Sequence, residues 1–457
     1  MTALDYNSKT LKFSISGLRG VYGTDINPGN AAQLAKAFHE TIGTGKIAIA
    51  WDARPANKLL VQLTAATLSS LGREVHLLGL VPTPTIKHYV HTKKLAGGIM
   101  LSASHNPMEY VAFKFIGTKG LFFNEKQIDT YRNHLDKNYK SWTNSYKEGP
   151  IKEVPLEQVV KPHIKSVLKA VPLKKQKKLR IAIDPVGSCA INTAGAFLKE
   201  LGYEVISIHD KVIGKFPRPP EPVPKALSKL GSAVKKFGCI LGFAFDPDAD
   251  RLAIVDEKGR PVGEEVTLAL AIAAKLNKAK KNSAVVVNLS TSASNQLIAQ
   301  KFKSNLFQSA VGEANVLDLM IKKKAVLGGE GNGGVIDPAI PSLGRDSLAS
   351  MAYALKQVQT HNLPFSEIVK KNVPKTYMVK KSIPATNKNI TAELEKRLTQ
   401  LFPLLKKQTI DGIHLQHPDI LPWIHLRESN TEPIVRLILE TKEKKEADEI
   451  LKSLKIL

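Results

Sequence analysis

Asp246, Asp248 and Asp250 alternate within FDPDADRL, residues 245–252. In an extended segment alternate side chains share a face, so the three carboxylates are expected to converge. Converging carboxylates repel unless a cation sits between them, and hard oxygen ligands select Mg²⁺ or Ca²⁺. Two other readings stay open. An EF-hand places acids where Asp246, Asp248, Asp250 and Glu257 stand, but Arg251 occupies the sharp turn that needs glycine, and the flanks CILGFAF and LAIVD read as strands. The other is a polar turn without metal, since aspartate is common in turns.

Three more stretches carry chemistry. GGIMLSASHNPMEYVAFKF, residues 97–115, runs an apolar strand into Ser104, His105, Asn106 and Pro107. Serine beside histidine suggests a nucleophile and its base. Neighbours in an extended chain point to opposite faces, so His105 is expected to be poorly placed as that base. The hydrolase elbow G-x-S-x-G is missing as well. Simple hydrolysis is therefore not the expectation for Ser104. GGEGNGGVIDP, residues 328–338, satisfies G-x-G-x-x-G, but that fingerprint must open a helix, and Pro338 and Pro341 forbid an early one. What remains is a glycine turn or a loop whose Glu330 and Asn332 bond adjacent sugar hydroxyls. In RESNTEPIVR, residues 427–436, Arg427 and Arg436 bracket Ser429, Asn430 and Thr431. Two guanidinium forks, two hydroxyls and an amide are the inventory of a phosphate clamp, or of a surface turn rich in arginine.

The elements that must position these residues repeat. KIAIAWD (46–52), LRIAID (179–184) and AVVVNLS (284–290) are apolar strands ending in polar residues, each followed by a helical stretch and another strand. The first two units share Leu-Gly-x-Glu-Val at Leu71 and Leu201, with glycine as a helix cap. Such units imply mostly parallel sheets covered by helices. The last part reads as a helix (391–405), the strands DGIHLQH, WIHLRES and IVRLILE, and a helix (442–454), a small α+β domain. Domains are expected at 1–155, 156–258, 259–375 and 376–457. With 457 residues, 43% hydrophobic and 23% charged, the chain is expected to fold as several domains. No apolar run is long enough to span a bilayer, the N-terminus has no apolar signal core, and two cysteines suit a reduced compartment, so cytoplasm is the expectation, with no membrane partner. The net charge of +25 favours anionic partners. The lysines are scattered in short runs with few aromatics, which points away from nucleic acid.

Taken together, the segments FSISGLRG, SASHNP, PEP (220–222), DPDADR, VGEANV, GEGNGG and RESNTEP, in this order over nearly the whole chain, resemble the α-D-phosphohexomutase family. The resemblance implies three similar mixed, mostly parallel α/β domains and a smaller C-terminal α+β domain around a central cleft. It implies a phosphoryl-bearing Ser104, Mg²⁺ on Ser104, Asp246, Asp248 and Asp250, and Lys114 as general acid or base. Arg19 and Arg251 would stand near the moving phosphate, and His105 would orient the serine loop or help with charge. Glu330 and Asn332 would read the sugar, while Arg427, Ser429, Asn430, Thr431 and Arg436 would hold the resting phosphate. The activity implied is interconversion of hexose 1- and 6-phosphates of glucosamine, mannose or glucose, with a hexose 1,6-bisphosphate as activator, by a monomer or homodimer. The pair Val111-Ala112, where many members have Asn-Gly, leaves a non-catalytic sugar-phosphate binder as the alternative.

Overall fold

IAIAW and GGIML show no polar alternation, and their residues are almost all buried, as strands covered on both faces require. The structure is a computed structural model that describes residues 4–14, 17–137, 147–384, 390–428 and 434–454. It divides into two compact units, Met1–Thr267 with Gly333–Ser366, and Leu268–Asn332 with Glu367–Leu457.

The first unit opens with β1 (Lys12–Ser14), β2 (Gly17–Val21), α1 (Pro28–Thr41), β3 (Ile47–Trp51), α2 (Pro55–Ser70), β4 (Val75–Gly79), α3 (Thr83–Thr92), β5 (Gly97–Leu101), β6 (Tyr110–Gly117), α4 (Glu125–Lys137) and β7 (Ile151–Glu153). They form one sheet, ordered β1-β2-β6-β5-β3-β4-β7, with parallel pairing from β5 through β7 and antiparallel pairing from β5 to β1. Gly17 matters here: at φ +129, a Cβ on it would lie 2.0 Å from the Phe113 carbonyl oxygen. Only glycine lets β2, with Arg19, lie against β6, with Lys114. Phe38, Phe115, Phe123 and Tyr131 stack beneath, with ring centroids 4.3–5.6 Å apart.

Next come α5 (Leu156–Ala170), β8 (Arg180–Asp184), α6 (Ala194–Glu200), β9 (Glu204–Ser207), α7 (Ser228–Phe237), β10 (Leu241–Phe245) and β11 (Leu252–Val255). Their sheet is β11-β10-β8-β9, parallel except for the hairpin β10–β11. The internal repeat is structural: Gly72 and Gly202 end α2 and α6 at φ +80 and +81, and the next residues, Arg73 and Tyr203, donate back to Leu68 and Leu198. α8 (Glu264–Leu276) then carries the chain past the unit boundary.

The second unit holds β12 (Ala284–Asn288), α9 (Ser294–Lys301), β13 (Asn305–Ser309), α10 (Glu313–Lys323) and β14 (Leu327–Glu330), with β12 parallel to both β13 and β14. The chain returns to the first unit for β15 (Gly334–Ile336) and α11 (Ser347–His361), which packs on α5 and β11. As expected from the prolines, no helix follows the glycine loop. After α12 (Phe365–Asn372), the second unit ends in β16 (Tyr377–Pro384), α13 (Ile390–Leu401), β17 (Lys406–Gln408), β18 (Ile413–Gln416), β19 (Trp423–Glu428), β20 (Ile434–Thr441) and α14 (Lys444–Ser453). These strands form an antiparallel sheet, β16-β20-β19-β18-β17. Ile424, Leu426, Val435, Leu437 and Leu439 alternate onto one face, against Leu394, Leu398, Ile450 and Leu451 of α13 and α14. β16 and β17 went unrecognised in the sequence.

Within this unit the buried Glu440 of β20 accepts hydrogen bonds from Ser292 Oγ (2.6 Å), Ala293 N (2.7 Å), Trp423 Nε1 (2.6 Å) and Thr376 Oγ1 (2.5 Å). Among the described residues no helix is long and apolar enough to cross a membrane. Cys189 and Cys239 are free and buried.

Candidate active site

The hairpin β10–β11 presents its six-residue loop at the C-terminal end of the parallel strands, where open α/β sheets place their ligands. The loop is a turn, not the extended run expected from the sequence. Ala249 takes φ +48 and its N–H donates to the Asp246 carbonyl, 3.0 Å. That left-handed residue is what brings the carboxylates together: one oxygen from each of Asp246, Asp248 and Asp250 lies within 4.8 Å of the others, all fully buried. The EF-hand reading fails. Glu257 instead accepts from Ser366 N and Oγ, at 2.9 and 2.6 Å.

Each carboxylate has a partner. Asp246 Oδ2 accepts the Ser104 hydroxyl at 2.7 Å. Asp248 Oδ2 accepts Lys114 Nζ at 2.6 Å and the Thr83 hydroxyl. Asp250 Oδ2 accepts Arg345 Nη2 at 2.6 Å, and Arg251 Nε lies 3.7 Å from its Oδ1. Burial, with the charges of Asp250 and Asp248 adding to it, pushes the Asp246 carboxyl well above the usual range. Burial also raises Asp250, against the pull of Arg345. At Asp248 burial acts in the same sense, but Lys114 outweighs it and holds the carboxyl below its ordinary value. Lys114 responds in kind: burial would lower it, yet Asp248 and Asp250 raise it, so the ammonium stays charged. Asp248 Oδ1 and Asp250 Oδ1 remain buried with no hydrogen-bond partner. Buried polar atoms are normally paired, so two orphaned oxygens in one acidic trio fit a hard divalent cation.

Ser104 follows β5 and is itself left-handed, φ +49, and nearly buried. Contrary to the expectation for an extended chain, this conformation swings its hydroxyl to 3.5 Å from His105 Nδ1. Burial, reinforced by Arg251 and Arg345, lowers the His105 imidazole to about 2, so the ring is neutral. The serine loop is held by Arg54, a residue sequence reading missed. Its guanidinium donates to the carbonyls of Ser104 (2.8 Å), Asn106 (2.7 Å) and Pro107, and to Asp52 Oδ2 (3.1 Å). Asp52 in turn accepts Ser102 Oγ (2.7 Å), which receives the Ser104 N–H (3.0 Å). The signal available was WDARP: polar residues at the C-terminal end of an apolar parallel strand. Val111 and Ala112 run in β6 opposite Gly20 and Arg19, so Lys114 follows from an ordinary strand and reaches the trio. Arg19, on β2, adds its charge to those acting on His105.

In the second unit Glu330 ends β14 and its Oε1 accepts Asn288 Nδ2 (2.8 Å) and Gly312 N (3.0 Å). Asn332 keeps a buried, partnerless Oδ1. Arg427 and Arg436 face each other directly across the β19–β20 ladder. Asp411 Oδ2 lies 3.5 Å from Arg427 Nη1 and accepts Val311 N at 2.9 Å. Ser429, Asn430 and Thr431 lie outside the described residues.

Comparison with known proteins identifies the family and the fold. The family description "Phosphoglucomutase/phosphomannomutase, alpha/beta/alpha domain I" matches residues 10–142, domain II matches 161–259, and domain III matches 263–376. The chain is 29% identical over 443 residues to a Methanopyrus kandleri protein named "Probable phosphoglucosamine mutase", covering 96% of this chain and 95% of that one. It is 28% identical over 455 residues to the "Phosphoglucomutase/phosphomannomutase" of Thermococcus kodakarensis, with 96% of each covered. The crystal structure of a phosphoglucomutase/phosphomannomutase family protein from Burkholderia thailandensis superposes with a TM-score of 0.82 at 21% identity, over 98% of each chain, a likeness of fold.

Proposed function

Because the chain belongs to the phosphoglucomutase/phosphomannomutase family, we propose that it is a phosphohexomutase, an isomerase-class intramolecular phosphotransferase acting on hexose 1- and 6-phosphates through a phosphoserine at Ser104. The observation that carries this reading is the 2.7 Å contact between the Ser104 hydroxyl and Asp246, inside the buried pocket that also holds Asp248, Asp250 and Lys114. This pocket is dense with fixed charge, which suits phosphoryl transfer, where positioning and electrostatics do most of the catalysis.

In the forward half-reaction the Ser104–phosphorus bond breaks and the phosphoryl group passes to the free hydroxyl of the hexose phosphate. Ser104 Oγ takes a proton from Lys114, and the proton the hydroxyl gives up restores Lys114, so none is gained or lost. Lys114, kept cationic by Asp248 and Asp250, is the acid for a departing oxygen and a counter-charge for the phosphoryl oxygens. Arg251 and Arg19 add positive charge beside it, and neutral His105 offers its ring nitrogen to the serine. The Asp trio with Ser104 Oγ would hold Mg²⁺, which when bound supplies charge neutralisation at the phosphoryl oxygens. The bisphosphate then turns over, and its other phosphate returns to Ser104. Glu330 and Asn332 read the sugar's hydroxyls. Arg427 and Arg436 grip the resting phosphate together with Ser429, Asn430 and Thr431. The hexose is glucosamine, mannose or glucose.

Ser104→Ala tests the reading. With a hexose 1,6-bisphosphate as activator, turnover of all three hexose 1-phosphates should vanish while thermal unfolding stays unchanged. Intact mass should show one phosphoryl group on the parent protein and none on the variant. Full activity in the variant would sink the proposal.

A further inference from the structure

Asp250 is the acid of the trio whose hydrogen-bonding anchor comes from later in the chain rather than earlier. Its Oδ2 is held by Arg345, 95 residues later, on the short segment that leads into α11. The two residues that follow Arg345 also engage buried groups. Ser347 Oγ donates to the Ala249 carbonyl at 2.7 Å, the residue between Asp248 and Asp250. Asp346 caps α11 through Leu348 N and Ala349 N, and its Oδ2 meets His163 Nε2 at 2.8 Å. The His163 Nδ1 lies 3.0 Å from Thr85 Oγ1 on α3. One residue pair back on that helix, Thr83 donates its N–H to the Asp248 carbonyl, 2.9 Å, and its hydroxyl to the Asp248 carboxylate. A path of buried polar contacts and adjoining residues therefore runs from Arg345 and Ser347, through Asp346, His163 and Thr85, to Thr83, and meets the acidic loop at both ends.

The same geometry recurs at the two acids. Asp248 has Oδ2 fixed by Lys114 and Thr83 and Oδ1 left without a hydrogen bond; Asp250 has Oδ2 fixed by Arg345 and Oδ1 left without a hydrogen bond, the Arg251 guanidinium standing off at 3.7 Å. Each carboxylate is thus pinned by one oxygen and presents the other. A partner on the far oxygen fixes the carboxylate's rotation, and outer partners of this kind are worth large factors in metal affinity.

We propose that Arg345 is a positioning residue for the divalent-cation site: it pins Asp250 so that Oδ1 faces the trio, with Asp346 and Ser347 fixing the segment that carries it. This deepens the mutase reading and rests on it, since it assumes that the trio binds a cation. The rival role for the same arginine is a plain counter-charge, which would compete with the cation rather than prepare its ligand.

The two roles predict opposite signs. Mg²⁺ binding to the full-length protein, measured by calorimetry, should weaken about tenfold or more in Arg345→Met, and recover to within about threefold of the parent in Arg345→Lys, which keeps a cationic donor. Ser347→Ala should weaken binding less than Arg345→Met does. Unchanged or tighter binding in Arg345→Met overturns the proposal. Where the methionine variant does not fold, Arg345→Lys decides, because it keeps the buried charge: a tenfold loss there refutes a cationic donor as the requirement. Asp250→Asn separates the two levels. If the parent binds Mg²⁺ and Asp250→Asn does not, the cation site stands and only Arg345 is on trial. If the parent itself binds none, the cation reading falls and this inference falls with it.

Discussion

Replacing Arg54 by lysine should leave a folded protein that transfers phosphoryl groups poorly. Arg54 is almost fully buried and makes hydrogen bonds to three carbonyls of the serine loop's turn, at Ser104, Asn106 and Pro107, besides its ion pair with Asp52. Lysine keeps the charge beside Asp52 but lacks the planar fork, so at least two of the three carbonyl bonds go. Bonds from a charged donor are worth about 1.5–3 kcal/mol each, so the loop loses roughly 3 kcal/mol or more of support. Against that stands the left-handed backbone of Ser104, φ +49, which costs about 1–2 kcal/mol to hold. The support lost exceeds the strain it restrains, so the serine relaxes out of its left-handed conformation and its hydroxyl leaves Asp246. A displacement of about 1 Å is worth about a hundredfold in rate. The assay is kcat for hexose 1-phosphate isomerisation, alongside the fraction of protein phosphorylated by bisphosphate in intact mass. Both should fall, while urea unfolding shows a destabilisation of about 1–2 kcal/mol or more, the support lost less the strain relieved. Parent-like kcat in Arg54→Lys would refute the claim that this guanidinium sets the serine's conformation.

Two predictions concern other parts of the molecule. Ala249 sits at φ +48 with no exposed surface, so valine there meets both a disfavoured backbone and an overfilled site; Ala249→Val should cost about 2 kcal/mol or more and abolish Mg²⁺ binding, whereas Ala249→Gly should shift stability by less than about 1 kcal/mol. A valine variant as stable and as metal-competent as the parent contradicts this. Burial, with the charge of His163 adding to it, lowers the His88 imidazole to about 3, and burial lowers His414 to about 3 as well. Both are neutral in the fold but take up a proton in the unfolded chain below about pH 6.5, so stability is complete above that pH and falls between 6.5 and 3. By pH 5 each should cost about 2 kcal/mol. Urea titrations at pH 7 and 5 should show that difference shrinking by about 2 kcal/mol in His88→Gln; an unchanged difference rules the assignment out.

The sequence was most readable where neighbours in the chain decide the structure. β3, β8 and β12 fall on the three apolar runs, and both Leu-Gly caps end helices as expected, because burial on two faces and a left-handed cap are local demands. The acidic loop was readable in its residues but not in its shape: the convergence comes from Ala249, and alanine does not announce a left-handed backbone. The same holds for Ser104, whose conformation is imposed by Arg54, 50 residues away. Arg345 gave no signal at all, since Gly-Arg-Asp-Ser reads only as a helix start, which Asp346 indeed provides. β16 escaped notice because its lysines interrupt the apolar pattern, as is common on an edge strand. Part of the charge excess also has a physical place. Lys235 and Lys236, Lys322 and Lys323, and Lys370 and Lys371 occupy the last turns of α7, α10 and α12, with Lys275 and Lys301 ending α8 and α9. Cations there answer the negative ends of the helix dipoles.

Glu440 bears on how a sugar phosphate would be measured. Its carboxylate fastens β20 to the stretch after β12, and these two strands carry, further along, Arg436 and the Asn288 that holds Glu330. On the proposed reading, the jaw that closes on phosphate and the gauge that feels the ring hang from a single peg, like calipers locked at one opening. Such an instrument checks the span from ring to phosphate and is indifferent to which end of the hexose it holds. On that reading it is the sugar that turns, against a span the peg holds fixed.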